Sequence, residues 1–169
     1  MATKKNVERT PYEDALRDWI LLCIPSGWKV RFANSNGPRP RARYVELQVI
    51  VFGREHFEPA THRVLDESFE TACRGHIHQQ FTGTCQVDAF GKTAREVIEG
   101  IRTALFLPNV QEALSASSLA IRSSTDTVDV TELAGTRSVP RFTSDFGFGW
   151  AQTVDYAAEF IDEVIFQET

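Results

Sequence analysis

The stretch from His76 to Phe90 constrains the fold more than any other part of the chain. Phe81, Gly83, Cys85, Val87 and Ala89 fall on one side of an extended backbone, and Gln80, Thr82, Thr84, Gln86 and Asp88 on the other. Side chains on a strand alternate with a period of two, so the pattern predicts a long strand with one packed face and one wet face. That division is the habit of antiparallel sheets. A preceding strand, His62 to Ala72, is expected to join it through a turn at Arg74-Gly75.

Helices flank this strand. Downstream, Gly91 ends it and Thr93-Ala94-Arg95-Glu96 reads as a capping box. Ala94, Val97, Ile98, Ile101 and Leu105 then recur at helical spacing until Pro108 closes the helix. Asn109 and Glu112 are placed to cap a short third helix ending near Ser115. Upstream, Thr10-Pro11-Tyr12-Glu13 forms another capping box, followed by an apolar stripe of Tyr12, Leu16, Trp19, Ile20 and Cys23. Pro25-Ser26-Gly27 stops that helix.

The remaining segments read as strands. Trp28 to Asn34 alternates, Asn36-Gly37-Pro38-Arg39-Pro40 breaks it, and Tyr44 to Phe52 becomes apolar on both faces at its end, as in a central strand. Leu119 to Arg122 and Thr127 to Leu133 are short strands. Gly135 to Gly149 reads as a long loop, and Trp150 to Phe160 as a last strand. Helix, strands, helix, strands is the order of an α+β fold: a mostly antiparallel sheet with two main helices packed on one face. At 169 residues the chain is expected to form a single domain from residue 10 to 169, behind a flexible polar segment, 1–9.

Composition narrows the function. A net charge of -5 gives no bulk attraction to nucleic acid or to anionic lipid. No apolar core follows the charged N-terminus, and the apolar run Trp19 to Ile24 is far too short to span a bilayer, so no membrane partner is expected. Cys23, Cys73 and Cys85 lack paired spacing; they read as reduced, buried thiols in a cytoplasmic setting.

Chemistry-bearing constellations are thin. His76 and His78 share a strand face and could hold zinc or copper, but a third ligand from His62, Glu58 or Cys73 would have to fold nearby. His56, Glu58 and His62 lack the HExxH spacing. Asp66 and Glu67 are adjacent and so point to opposite faces. No nucleophile elbow, P-loop or dinucleotide fingerprint occurs, and no catalytic, metal or cofactor residue is assigned. Interface residues are easier to name. Arg39, Arg41 and Arg43 point the same way if extended, a like-charge row that a partner would relieve. The segment holding Arg137, Arg141, Phe142, Phe146 and Phe148 mixes arginine with aromatics, the composition that interface centres favour.

The order of segments resembles the phage neck or tail-terminator proteins. The matching stretches are Ala15 to Trp19, Val30 to Ala33, Asn36-Gly37-Pro38-Arg39-Pro40 with Tyr44-Val45-Glu46-Leu47, Gln86 through Gly91 into Lys92-Thr93-Ala94, and Trp150 to Phe160. The Arg39 to Arg43 stretch and the Gly135 to Gly149 segment depart from the pattern. The resemblance implies a structural virion protein and not an enzyme. It implies a homo-oligomeric ring, commonly a hexamer, that caps the tail tube and joins it to the head completion (connector) proteins, with the sheath as a further neighbour. DNA would pass through the lumen without specific binding, and assembly would take place in the host cytoplasm. A different head–tail connector or tail-completion protein is the nearest alternative. A small metal-dependent enzyme built on His76 and His78 is the alternative from another class.

Overall fold

Glu13 sets the start of the first helix, α1 (Pro11–Cys23). Its Oε2 accepts the Thr10 N–H at 2.9 Å and the Thr10 hydroxyl at 3.0 Å. Pro11 stands at the first helical position, where its missing N–H costs nothing. Leu16, Trp19 and Ile20 are buried, and Tyr12 and Cys23 pack against the same core. The helix ends as Ile24 turns extended, and Gly27 takes φ +87°, a conformation that suits glycine.

The computed structural model describes residues 10–35, 37–38, 40, 43–54, 60–65, 72–134 and 137–159; at 60–65, 72–76, 132–134, 137–138 and 155–159 it describes the backbone alone. After α1 come β1 (Lys29–Phe32), β2 (Tyr44–Arg54), β3 (Ala60–Leu65), β4 (Ala72–Phe90), α2 (Ala94–Ala104) and α3 (Pro108–Ala116). They are followed by β5 (Leu119–Ser124), β6 (Val128–Asp129), β7 (Glu132–Ala134), β8 (Arg137–Val139) and β9 (Arg141–Glu159). Strands pair in the order β1-β2-β4-β9-β5, with β3 beside β4 and β6 beside β9; β7 and β8 form a separate pair. β1 and β2 run parallel, whereas β3–β4, β5–β9, β6–β9 and β7–β8 are antiparallel. This is the expected α+β class with a mostly antiparallel sheet.

The chain divides into two compact units, Met1–Gly53 with Thr82–Trp150, and Arg54–Phe81 with Ala151–Thr169. In the first, one sheet face carries Val45, Leu47, Cys85, Val87, Ala89, Phe146, Phe148 and Leu119 into a single cluster. Leu16, Trp19 and Ile20 of α1, Val97, Ile98 and Ile101 of α2, and Val110 and Leu114 of α3 complete it. Burying each such aliphatic side chain is worth about 1.5–3 kcal/mol. Trp19 meets Phe146 edge-on at 5.2 Å, and Tyr12 stacks on Phe52 at 4.1 Å. The second unit contains the β3–β4 ladder and the end of β9, where Thr153 bonds to His78.

Four local expectations need correction. Residues 137–139 and 141–149 do not form the expected loop: they are β8 and the first half of β9, while 135 and 136 lie outside the described residues. Gly147 and Gly149 read as loop residues, yet they sit in the β5–β9 ladder opposite Ser123 and Ala120. A side chain on Gly149 would stand 2.7 Å from the Arg122 guanidinium, so glycine here marks a close approach within a strand. Arg74 and Gly75 are not a turn; they lie inside β4 opposite Val64 and Arg63, and the connection falls between Leu65 and Ala72, outside the described residues. Thr93 precedes α2 without a side-chain cap, its backbone at φ -110°, ψ 27° instead of extended. Pro108 begins α3, and Asn109 is already inside it, because proline at the first position needs no donor.

Candidate functional site

On the sheet face away from the helices, the last residues of β4 gather two segments distant in sequence. Asp88 is 3% exposed, and its Oδ2 accepts from Arg141 Nη2 at 3.0 Å. The Arg141 guanidinium carbon also lies 5.4 Å from the centre of the Phe90 ring. Phe90 stacks on Tyr44 at 4.5 Å, with the planes 9° apart. Gly91 N–H donates to the Pro140 carbonyl at 3.0 Å, fixing the chain just before Arg141. Its φ is +132°, and a side chain there would meet Arg43 Cγ at 3.2 Å. The start of β2, the end of β4 and the start of β9 thus share one corner, built around a cation between a carboxylate and an aromatic ring.

A second charged pair lies on the same face. Arg31 Nε is 3.2 Å from Glu46 Oε2, both largely buried and directly in register across the parallel β1–β2 pair. Arg31 also donates to the Ser35 carbonyl at 3.1 Å and the Gly37 carbonyl at 3.4 Å. One guanidinium therefore holds down the chain leaving β1. Gln86 Nε2 donates to Thr143 Oγ1 at 3.1 Å, adding a cross-strand bond. Charged and polar groups paired in this way position strands; no nucleophile stands with a base among them.

The sequence-derived interface residues separate into groups. Arg39 and Arg41 lie outside the described residues. Arg43 is exposed beside Gly91. Arg141 is engaged by Asp88 and Phe90. Only the backbone of Arg137 is described, paired with Ala134 in β8. Phe142 packs partly against the core. Phe146 and Phe148 are 0% and 1% exposed, core residues of β9 whose side chains offer no area to a partner. Their alternation with Gly147 was the available signal for a strand, masked by the neighbouring glycines.

The sequence reading also missed the apolar surface around the α2–α3 turn. Phe106 is 86% exposed and Leu107 49%, between the end of α2 and Pro108. A turn between helices ordinarily carries polar residues, so Leu105-Phe106-Leu107 was a legible anomaly. Nearby in the fold, α1 and α3 frame an open apolar cleft of about 360 Å³, lined by Ala15, Trp19, Leu22, Val110, Ala113 and Leu114.

Thiol and imidazole chemistry can now be placed. Burial pushes the Cys85 thiol up to about 12 and the Cys23 thiol to about 11, so neither is a ready nucleophile. Among the described side chains, no group of three or more His, Cys, Asp and Glu is arranged to hold a metal; the side chains of His62 and His76 are not in that set, and His56 and Glu58 lie outside the described residues, as do Asp66 and Glu67. Among the described residues no helix is long and apolar enough to cross a membrane.

The family model of the phage neck terminator protein matches residues 11–169. The chain belongs to this family. It is a structural component of the phage neck, as the resemblance implied, and so a component of the virion. The match extends from the first helical residue through all of β9, so the Arg43–Asp88–Arg141 corner and the α2–α3 turn both fall within what the neck terminator family covers. No curated protein matches the chain.

Proposed function

We propose that this neck terminator assembles into a ring of identical subunits, commonly six, that caps the tail tube and joins it to the head completion proteins. The observation that supports the ring is that one subunit carries both an exposed aromatic and an apolar cleft. Phe106 projects from the α2–α3 turn, and a separate apolar cleft lies between α1 and α3. A surface patch that fits a different patch of the next copy makes a head-to-tail contact, and such contacts close into a ring when the rotation closes. Aromatic anchors seated in pockets carry most of the energy of protein interfaces.

The charge supports the rest of the reading. At net -5 the subunit has no general grip on phosphates, which suits a lumen that DNA must traverse without specific binding. The exposure of Arg43, with Arg39 and Arg41 close by in sequence, supports a contact with acidic residues of a neighbouring ring, the tube or the connector. Mass photometry of the purified chain tests the proposal, alone and mixed with tail tubes. A closed oligomer of fixed subunit number, with particles at tube ends by electron microscopy, is the expected result. A strict monomer under both conditions overturns it.

A further inference from the structure

We propose that the head-to-tail contact has an electrostatic half, in which Lys29, Arg43 and Lys92 of one copy meet Asp18 and Glu112 of the next. This inference rests on the ring reading, and it assigns Arg43 to the adjacent subunit in place of a neighbouring ring, the tube or the connector.

Three strand ends bring the cations to one corner. Lys29 opens β1 in register with Tyr44, the first residue of β2, and Arg43 immediately precedes Tyr44. Tyr44 stacks on Phe90, the last residue of β4, and a side chain on Gly91 would meet Arg43 Cγ at 3.2 Å. Lys92 follows Gly91 directly. All three cations are exposed, and among the described residues none of them has an ion-pair or hydrogen-bond partner. Arg141, at the same corner, is already held by Asp88. Glu96, exposed on the first turn of α2, offsets part of the charge. Cations gathered in this way repel one another, and an acidic surface docking on them relieves the repulsion.

The complementary charges flank the α1–α3 cleft. Asp18 lines it, and Glu112 precedes Ala113, which lines it from α3. Both carboxylates are exposed, and among the described residues neither has an ion-pair or hydrogen-bond partner. Phe106 and the cations stand at the two ends of α2, whose 11 residues span about 16 Å. A standard interface covers about 800 Å² on each partner, wide enough to hold both ends of this helix. A contact centred on Phe106 therefore reaches the cations as well.

Net charge gives the contact its purpose. Copies carrying -5 each repel at long range. Patches of opposite sign overcome that repulsion locally, steer the encounter and fix which faces meet. Val139, 46% exposed next to Pro140, adds apolar area to the corner, and the Pro140 carbonyl is tied to Gly91 N–H. Apolar area among charges suits a protein partner, whereas contacts to DNA are more polar.

The test measures self-association of the purified full-length chain, alone and on tail tubes. Raising sodium chloride from about 50 to about 500 mM should weaken native association at least about tenfold, because exposed charges are screened. At low salt, Arg43→Glu with Lys92→Glu should weaken it at least about tenfold, and Asp18→Lys with Glu112→Lys likewise. A chain carrying all four changes should recover to within about threefold of native, because both sides of every contact are then reversed. All four residues are exposed, so each variant should melt as the native subunit does. Native association that ignores salt, or a quadruple variant no better than the doubles, overturns the inference and leaves the ring standing. A chain that stays monomeric, alone and with tail tubes, overturns the ring reading and this contact with it. If reversing Arg43 and Lys92 spares self-association but releases a fluorescein-labelled DNA duplex, the corner belongs to phosphates and the proposal fails.

Discussion

Arg141 places a guanidinium nitrogen 3.0 Å from a carboxylate oxygen of Asp88, a residue only 3% exposed, while the cation itself is 31% exposed. The two partners are therefore not equivalent. Removing Arg141 strands a buried charge, and removing Asp88 leaves a cation with partial access to water. Arg141→Met is expected to lower unfolding stability by about 2–4 kcal/mol, toward the lower end because water screens part of the pair. Asp88→Asn should cost less than Arg141→Met. Urea denaturation of both variants and of the double variant measures the coupling. Purely additive losses would mean that the contact does not join the strand ends.

Gly83 supplies a sharper steric test. A side chain at this position would stand 2.5 Å from Phe148 Cζ and 2.6 Å from the Val51 carbonyl oxygen. The ring can shift, but the backbone oxygen cannot without disturbing β2. Gly83→Ala is expected to destabilise by about 1–3 kcal/mol, the ordinary cost of overpacking. In a chain of this size that corresponds to a melting temperature lower by about 2–12 °C, read by calorimetry. An unchanged melting temperature would place Gly83 away from both neighbours.

Phe146 separates the two readings of its segment. As an interface residue on a loop it could be truncated with no effect on the isolated subunit. As a core residue at 0% exposure, edge-on to Trp19, it should cost about 3–5 kcal/mol when replaced by alanine. Denaturation of the subunit at low concentration, where self-association cannot contribute, decides between them.

These cases also explain how much was visible before the fold was known. The long alternating strand, the stripes of α1 and α2 and the α+β class were legible, because one buried face imposes a period that local composition cannot hide. The β9 strand was obscured where Pro140, Gly147 and Gly149 imitate a loop. Those glycines serve contacts with Ser123 and Arg122, residues that sequence order keeps far away. The pairing of Asp88 with Arg141 spans 53 positions, and no local pattern announces it. For the histidines, the HxH spacing was plain, but the position of His62 opposite His76 waited on the register.

Cys85 gives a prediction in pH. Burial is the main cause of its thiol being raised from 9.0 to about 12, so the folded state keeps a proton that the unfolded chain releases. A group with a raised folded value contributes its stability below the unfolded value and loses it as pH climbs toward the folded one. Stability should therefore decline between about pH 9 and pH 12 more steeply in the native chain than in Cys85→Ala. Iodoacetamide at neutral pH should leave Cys85 unmodified in the folded protein and alkylate it after unfolding, as peptide mass mapping would register. Rapid native alkylation of Cys85 would contradict its burial.

Phe106 carries the final prediction, because its exposure has no role in the isolated fold. The ring is 86% exposed, so Phe106→Ser removes almost nothing from the core and should change subunit stability by less than about 0.5 kcal/mol. If the ring seats in the cleft of a neighbouring copy, the same change removes an aromatic anchor and should weaken association by at least 2 kcal/mol, about thirtyfold. Leu22→Asp, on the cleft wall, should have a similar effect from the other side. Mixing the two variants adds a geometric check. In a head-to-tail ring each contact takes a knob from one copy and a socket from the next, so a Phe106→Ser subunit still offers an intact cleft and a Leu22→Asp subunit an intact Phe106. One sound contact per mixed pair should therefore return dimers in mass photometry at concentrations where either variant alone is monomeric. Rescue to full rings is not expected, because the opposite contact of every pair joins two damaged surfaces.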